Sequence, residues 1–180
     1  MTDPWEEHAD WWQREFTNGA DPEYTEQILP LIQQHLPRSG RMLDMGCGEG
    51  QVARLAAELG LQVVGLDPAF TQVALAASRA GGPEYFQGSA TDVGLATACV
   101  DAAVACLVFE HIALIDPALA ELERVMRPGG TFLLLLNHPL LQTPGSGWID
   151  DQVLDPPEQY WRVGPYLSEA NTMEEVEQGV

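Results

Sequence analysis

Leu43-Asp44-Met45-Gly46-Cys47-Gly48-Glu49-Gly50 is the stretch on which the fold turns. Before it, residues 41–45 read as a strand. After it, residues 51–59 read as a helix, with Val52, Leu55, Ala56 and Leu59 at helical spacing and Gly60 as the stop. A glycine-rich turn between a strand and a helix lets the chain reverse tightly. It also brings a ligand against backbone N–H groups at the mouth of a sheet. Such a turn alone is a weak signal, and two details sharpen it. The glycines run Gly-x-Gly-x-Gly, not the Gly-x-Gly-x-x-Gly of dinucleotide binders, and Asp44 stands two positions before the first. An acid there repels a pyrophosphate and suits a ligand carrying an amine and a sulfonium.

Downstream, short apolar runs alternate with Ala/Leu-rich stretches. Residues 61–66 predict a strand, 69–80 a helix ended by Gly81-Gly82, and 84–87 a short strand. Residues 100–108 are a long apolar strand and 117–126 a helix. Arg127-Pro128-Gly129-Gly130 is a turn, and 131–137 the last clear strand. This alternation predicts one α/β domain with a parallel sheet covered on both faces. Asp67 closes the second strand, where a carboxylate accepts hydrogen bonds from both hydroxyls of a ribose. That fits any nucleoside-bearing cofactor.

The flanks differ from this core. Residues 1–40 are acidic and Trp-rich, with two helix-like stretches, one opening at Asp3-Pro4 and one at Asp21-Pro22. They read as a helical lid segment. Residues 138–180 are rich in Pro, Gly and acids around Trp148 and Tyr160-Trp161. They read as a loop-rich, substrate-side segment with one helix near 172–178 and no further strand. The expected division is therefore 1–40, 41–137 and 138–180 within one structural domain.

A net charge of −19 with no lysine argues against nucleic-acid and acidic-lipid partners, which need a basic surface. The missing lysine also excludes a Walker-type phosphate loop and a Schiff-base lysine. Cys47, Cys99 and Cys106 lack metal-ligand spacing, so no metal is expected. With no apolar run of membrane-spanning length and an acidic N-terminus, a soluble cytoplasmic protein without a membrane partner is the expectation.

Five segments in order resemble the motifs of class I S-adenosylmethionine-dependent methyltransferases. The likeness is to the small-molecule branch that resembles ubiquinone/menaquinone-biosynthesis methyltransferases. LDMGCGEG resembles the first motif, VVGLDPA the second and GSATDVGL the adenine-side motif. DAAVACLVFEHI resembles the fourth-strand motif and RVMRPGGTFLLLL the helix–turn–fifth-strand motif. The resemblance implies a doubly wound, Rossmann-like parallel sheet of order 3-2-1-4-5 with helices on both faces. It implies S-adenosyl-L-methionine as cofactor, S-adenosyl-L-homocysteine as product and a small organic acceptor.

Backbone groups at Gly46, Cys47, Gly48 and Gly50 would then line the methionine moiety, with Asp44 near its amine. Asp67, followed by Pro68, would hold the ribose. Ser89, Ala90, Thr91 and Asp92 would edge the adenine, and Cys106, Leu107 and Val108 would lie beneath the cofactor. The family often has an acid where Ser89 stands, which leaves the adenine amino contact between Ser89 and Asp92. Family members also carry two more, antiparallel, edge strands. None is read here, so a truncated chain and an open strand edge inviting homodimerisation are both expected.

Methyl transfer needs mainly proximity and alignment, and a base only when the acceptor must lose a proton. His111 after the fourth strand and His138 after the fifth are the candidates, each weighed against a structural polar role. Trp11, Trp12 and Phe16 read either as a packed helix face or as a lid whose aromatic faces favour a sulfonium. Two other functions compete with a small-molecule methyltransferase: an NAD-dependent oxidoreductase, disfavoured by the glycine spacing and Asp44, and an inactive methyltransferase-fold binding module.

Overall fold

The computed structural model describes residues 4–17, 21–79 and 81–168. The chain forms two compact units, residues 1–135 and 136–180.

In the first unit, β1 (Arg41–Met45), β2 (Gln62–Asp67), β3 (Glu84–Gln87), β4 (Val100–Cys106) and β5 (Met126–Leu135) form one sheet in the order β3-β2-β1-β4-β5. All four pairings are parallel, as the strand–helix alternation predicts. Side chains alternate between two faces with period two. Met42, Val63, Ala102 and Val104 face Ile32 and Leu36 at α3 (Leu29–His35) and Val52, Ala53 and Ala56 of α4 (Gln51–Glu58). Leu43, Met45, Leu66, Ala103 and Ala105 share the other cluster with Ala118, Leu122 and Val125 of α6 (Ile115–Val125). Leu43 and Met45 are fully buried, each contributing about 1.5–3 kcal/mol of transfer free energy. α5 (Phe70–Ser78) packs on β2 and β3.

Two boundaries differ from the sequence reading. β4 ends at Cys106 rather than 108, because Leu107 has φ +58°, a left-handed backbone that ends the strand and starts a 3₁₀ turn at Phe109–His111. The expected turn at 127–130 lies inside β5. Val100 pairs with Met126 and Ala102 with Thr131, so Arg127-Pro128-Gly129-Gly130 bulges from a continuing strand. Arg127 pins the bulge through a 2.5 Å ion pair to Asp101, whose other oxygen accepts the Arg41 N–H at 2.8 Å.

The N-terminal segment contains α1 (Pro4–Glu7), α2 (Ala9–Phe16) and a π-helical turn, Tyr24–Ile28, that runs into α3. Asp21 opens the latter as expected, its Oδ1 accepting the Glu23 N–H at 2.9 Å.

The second unit corrects one reading, since strands do follow residue 137. β6 (Gly147–Asp151) and β7 (Glu158–Arg162) form an antiparallel hairpin after the short α7 (Pro139–Gln142). The aromatics that look isolated in sequence pair across it, Trp148 edge-on to Trp161 at 5.6 Å. Strands of five residues rich in Asp, Glu and Gln carry too little apolar alternation to be visible beforehand. The helix expected at 172–178 lies outside the described residues.

Candidate functional site

The glycine turn after β1 is held by the end of β2. Gly46 and Cys47 both donate their N–H to the Leu66 carbonyl, at 2.7 and 2.9 Å. Asp67 completes the join: Oδ2 accepts the Gly48 N–H at 2.8 Å and Oδ1 the Ala69 N–H at 2.9 Å. Gly46 has φ +72°, and a Cβ there would meet Val108 at 2.5 Å, so the turn is open to glycine alone. Glu49 is buried and its Oε2 takes both Arg54 (2.8 Å) and Arg79 (2.9 Å).

These residues open onto a cavity of about 350 Å³, within the roughly 300–1,000 Å³ typical of small-molecule sites. Its floor is Gly46, Cys47 and Gly48 with Cys106, Leu107 and Val108 from the adjacent end of β4. Asp67 and Pro68 form one side and Ser89, Ala90 and Thr91 an end wall, the last pinned by a 2.9 Å bond between the Ser89 and Thr91 hydroxyls. Trp5, Trp12, Tyr24 and His111 close the remaining side. The neighbouring of β1 and β4 brings these segments together, as a switch in strand order does in doubly wound sheets.

Of the residues singled out from sequence, the cavity gathers Gly46, Cys47, Gly48, Asp67, Pro68, Ser89, Ala90, Thr91, Cys106, Leu107, Val108 and His111. Asp44, Gly50, Asp92 and His138 do not line it. Asp44 lies on the α4 face of the sheet, 2% exposed, with Oδ2 lacking a hydrogen-bond partner. Burial pushes its carboxyl up to about 7; the Ala53 N–H opposes this and the Asp67 charge adds to it. Gly50, at φ +84°, abuts the Tyr85 ring instead. Asp92 turns back through its N–H to the Ser89 carbonyl at 3.1 Å. His138 belongs to the second unit, where its Nδ1 accepts the Leu140 N–H at 3.1 Å and caps α7.

Burial lowers the pKa of His111, against the raising pull of Glu110, which favours the neutral imidazole. Its ring stands edge-on to Trp5 at 4.7 Å. Burial likewise raises the Cys106 thiol to about 12, and raises Cys47 further, so neither is a ready nucleophile.

Sequence reasoning missed Trp5, Tyr24 and Gln72. Trp5 stands beside Glu6, whose carboxylate accepts from the Thr71 N–H at 3.1 Å and from its hydroxyl. Those bonds tie α1 to the first turn of α5. Gln13 adds a 3.3 Å bond to Gln72, and Gln51 a 3.1 Å bond to the Phe16 carbonyl. Tyr24 is buried by the π-helical turn and hydrogen-bonded to Cys106. A π-turn leaves no clear sequence period, whereas the Trp-x-x-x-x-x-x-Trp spacing of Trp5 and Trp12 was a readable helical signal.

Among the described residues no helix is long and apolar enough to cross a membrane, and no cluster of three His, Cys, Asp or Glu could hold a metal.

The family profile described as "Methyltransferase domain" matches residues 43–134, half of the chain. A malonyl-[acyl-carrier protein] O-methyltransferase of Serratia marcescens is 37% identical over 124 residues, covering 68% of this chain and 48% of that protein. A ubiquinone/menaquinone biosynthesis C-methyltransferase of Rubrivivax gelatinosus is 32% identical over 69% of this chain and 44% of its own length. The chain thus spans about half the length of the curated relatives it matches. A solved S-adenosylmethionine-dependent methyltransferase from Mesorhizobium loti superposes with TM-score 0.68 at 26% identity, over 77% of this chain and 64% of that one. With this sheet order, the glycine turn at its switch point and these matches, the chain belongs to the family of S-adenosylmethionine-dependent methyltransferase domains.

Proposed function

We propose that this chain binds S-adenosylmethionine in the cavity over β1 and β4 and transfers its methyl group to a small organic acceptor. One observation carries the reading: the glycine turn, the Asp67 carboxylate and the Ser89–Thr91 wall open onto a single cavity. The Asp67 carboxylate, held by the Gly48 and Ala69 N–H groups, lines the cavity where a ribose would lie. A turn that tolerates no Cβ at Gly46 lets a ligand come close to the backbone, which suits the methionine end. Ser89 rather than Asp92 supplies the polar group on the adenine side, since only Ser89 lines the cavity.

The bound cofactor supplies an electrophilic methyl on a sulfonium. What the protein adds is alignment, exclusion of water by Trp5 and Trp12, and a place for a proton. That place is His111, whose neutral imidazole has a lone pair at the cavity wall. His138 is the weaker candidate because its Nδ1 is committed to capping α7.

Calorimetric titration with S-adenosylhomocysteine, and with NAD in parallel, tests the reading. Saturable binding of the first, none of the second, and a loss of about tenfold or more in Asp67→Asn are expected. Asn keeps the shape but offers one acceptor to the two backbone N–H groups, so the ligand-free unfolding midpoint of the variant is recorded alongside to separate loss of the turn from loss of the ribose bond. Binding of NAD instead would favour the oxidoreductase. Binding of S-adenosylhomocysteine with no methyl transfer to any acceptor in a metabolite extract would favour the binding module.

A further inference from the structure

Whatever the acceptor is, it must share the cavity with the residues that the cofactor does not use. Besides the glycine turn, Asp67 and the Ser89–Thr91 segment, the lining includes Trp5, Trp12, Tyr24 and His111. Trp12 reaches the turn, its Nε1 3.9 Å from where a Gly48 Cβ would stand. Trp5 and Trp12 are packed edge to face with centroids 5.7 Å apart and Trp12 stacks on Phe16 at 4.3 Å, which fixes the indoles at the cavity wall.

The cavity is equally defined by its charges. Its lining residues include two carboxylates, Glu49 and Asp67, and neither lysine nor arginine among the described residues. The nearby cations Arg54 and Arg79 are both drawn to Glu49 Oε2, at 2.8 and 2.9 Å. His111 stands exposed at the wall, and partial desolvation favours its neutral form. The chain as a whole contains no lysine and carries −19, so its long-range field attracts cations and repels anions. An anionic acceptor entering here would lose its water and meet no counter-charge.

Resting on the proposed methyltransferase reading, we infer that the acceptor is a flat, apolar molecule that is neutral or cationic, lying against the indole wall of Trp5 and Trp12, and not a carboxylate or phosphate. The indole faces supply apolar contact and attract positive charge. Asp67 and the absence of lining cations set the sign, since the Glu49 charge is met by Arg54 and Arg79. This separates the chain's own acceptor from any whose recognition depends on a free carboxylate or a phosphate arm.

Three indoles of matched size but different charge form the test: tryptamine, tryptophol and indole-3-acetate. Each is titrated at pH 7.5 into the full chain saturated with S-adenosylhomocysteine, whose own binding is recorded first on the same sample. Tryptamine and tryptophol are expected to bind at least tenfold tighter than indole-3-acetate. Trp12→Ala should weaken tryptamine at least tenfold more than it weakens S-adenosylhomocysteine; an equal loss for both overturns the inference. Equal or preferred binding of indole-3-acetate overturns the inference, as does a lack of tryptamine binding at millimolar concentration. Failure of S-adenosylhomocysteine to bind would instead strike the methyltransferase reading beneath it.

Discussion

Asp44 illustrates how one residue can be legible in kind and not in place. Its position before the first glycine marks it in the sequence, but in the fold it lies on the α4 face, behind the lining residues Cys47, Asp67 and Cys106 whose ionisation its charge affects, and not among the lining itself. Period two along β1 decides this: Met42 and Asp44 share a face, Leu43 and Met45 the other. An ionisable group in that apolar layer has consequences for stability. The folded chain holds a proton on Asp44 up to about pH 7, while the unfolded chain releases it near 3.8. Stability from this group is therefore present in acid and is lost as pH rises between those values, by up to about 1.4 kcal/mol per pH unit. Urea unfolding at pH 5, 6 and 7 should show this slope in the native chain and its near-disappearance in Asp44→Asn. An unchanged slope in the variant would assign the pH dependence elsewhere.

Among the elements, the central strands and helices were readable because parallel strands buried on both faces are nearly continuous apolar runs. Arg41–Met45 and Val100–Cys106 matched to within two residues at their ends. The misses share a cause. The π-helical turn at Tyr24, the bulge inside β5 and the β6–β7 hairpin are shaped by neighbours in space rather than by a local period. The tie between α1 and α5 was likewise invisible, since Glu6 and Thr71 are ordinary polar residues until the fold brings them together. That tie governs whether Trp5 stays over the cavity. Thr71→Val removes the hydroxyl donor while keeping its shape and its backbone N–H. Losing about 1 kcal/mol of a charge-assisted bond should raise the dissociation rate of S-adenosylhomocysteine roughly fivefold in stopped-flow displacement. An unaltered rate would mean that α1 does not control exit.

For the whole molecule, cofactor binding and folding are one equilibrium. Ligand that binds only the native state adds RT ln(1 + [L]/Kd), about 2.7 kcal/mol at a hundredfold excess over Kd. In a chain of this size that corresponds to a rise of about 5–10 °C in the unfolding midpoint. Differential scanning fluorimetry should register it for the native chain. Asp67→Asn at the same ligand concentration should show a clearly smaller rise; an equal rise would remove Asp67 from the binding account.

The switch in strand order, which seats β1 beside β4, carries a temporal meaning as well. Gly46 leaves the ribosome long before Leu107, yet neither makes a floor without the other. A nascent chain halted before β4 has the glycine turn, Asp67 and the Ser89–Thr91 segment but no Cys106–Val108 floor beneath them. Cofactor capture thus starts only once the sheet's central crossing is closed, and a fluorescent cofactor analogue added to a translating mixture would act as a clock for that moment.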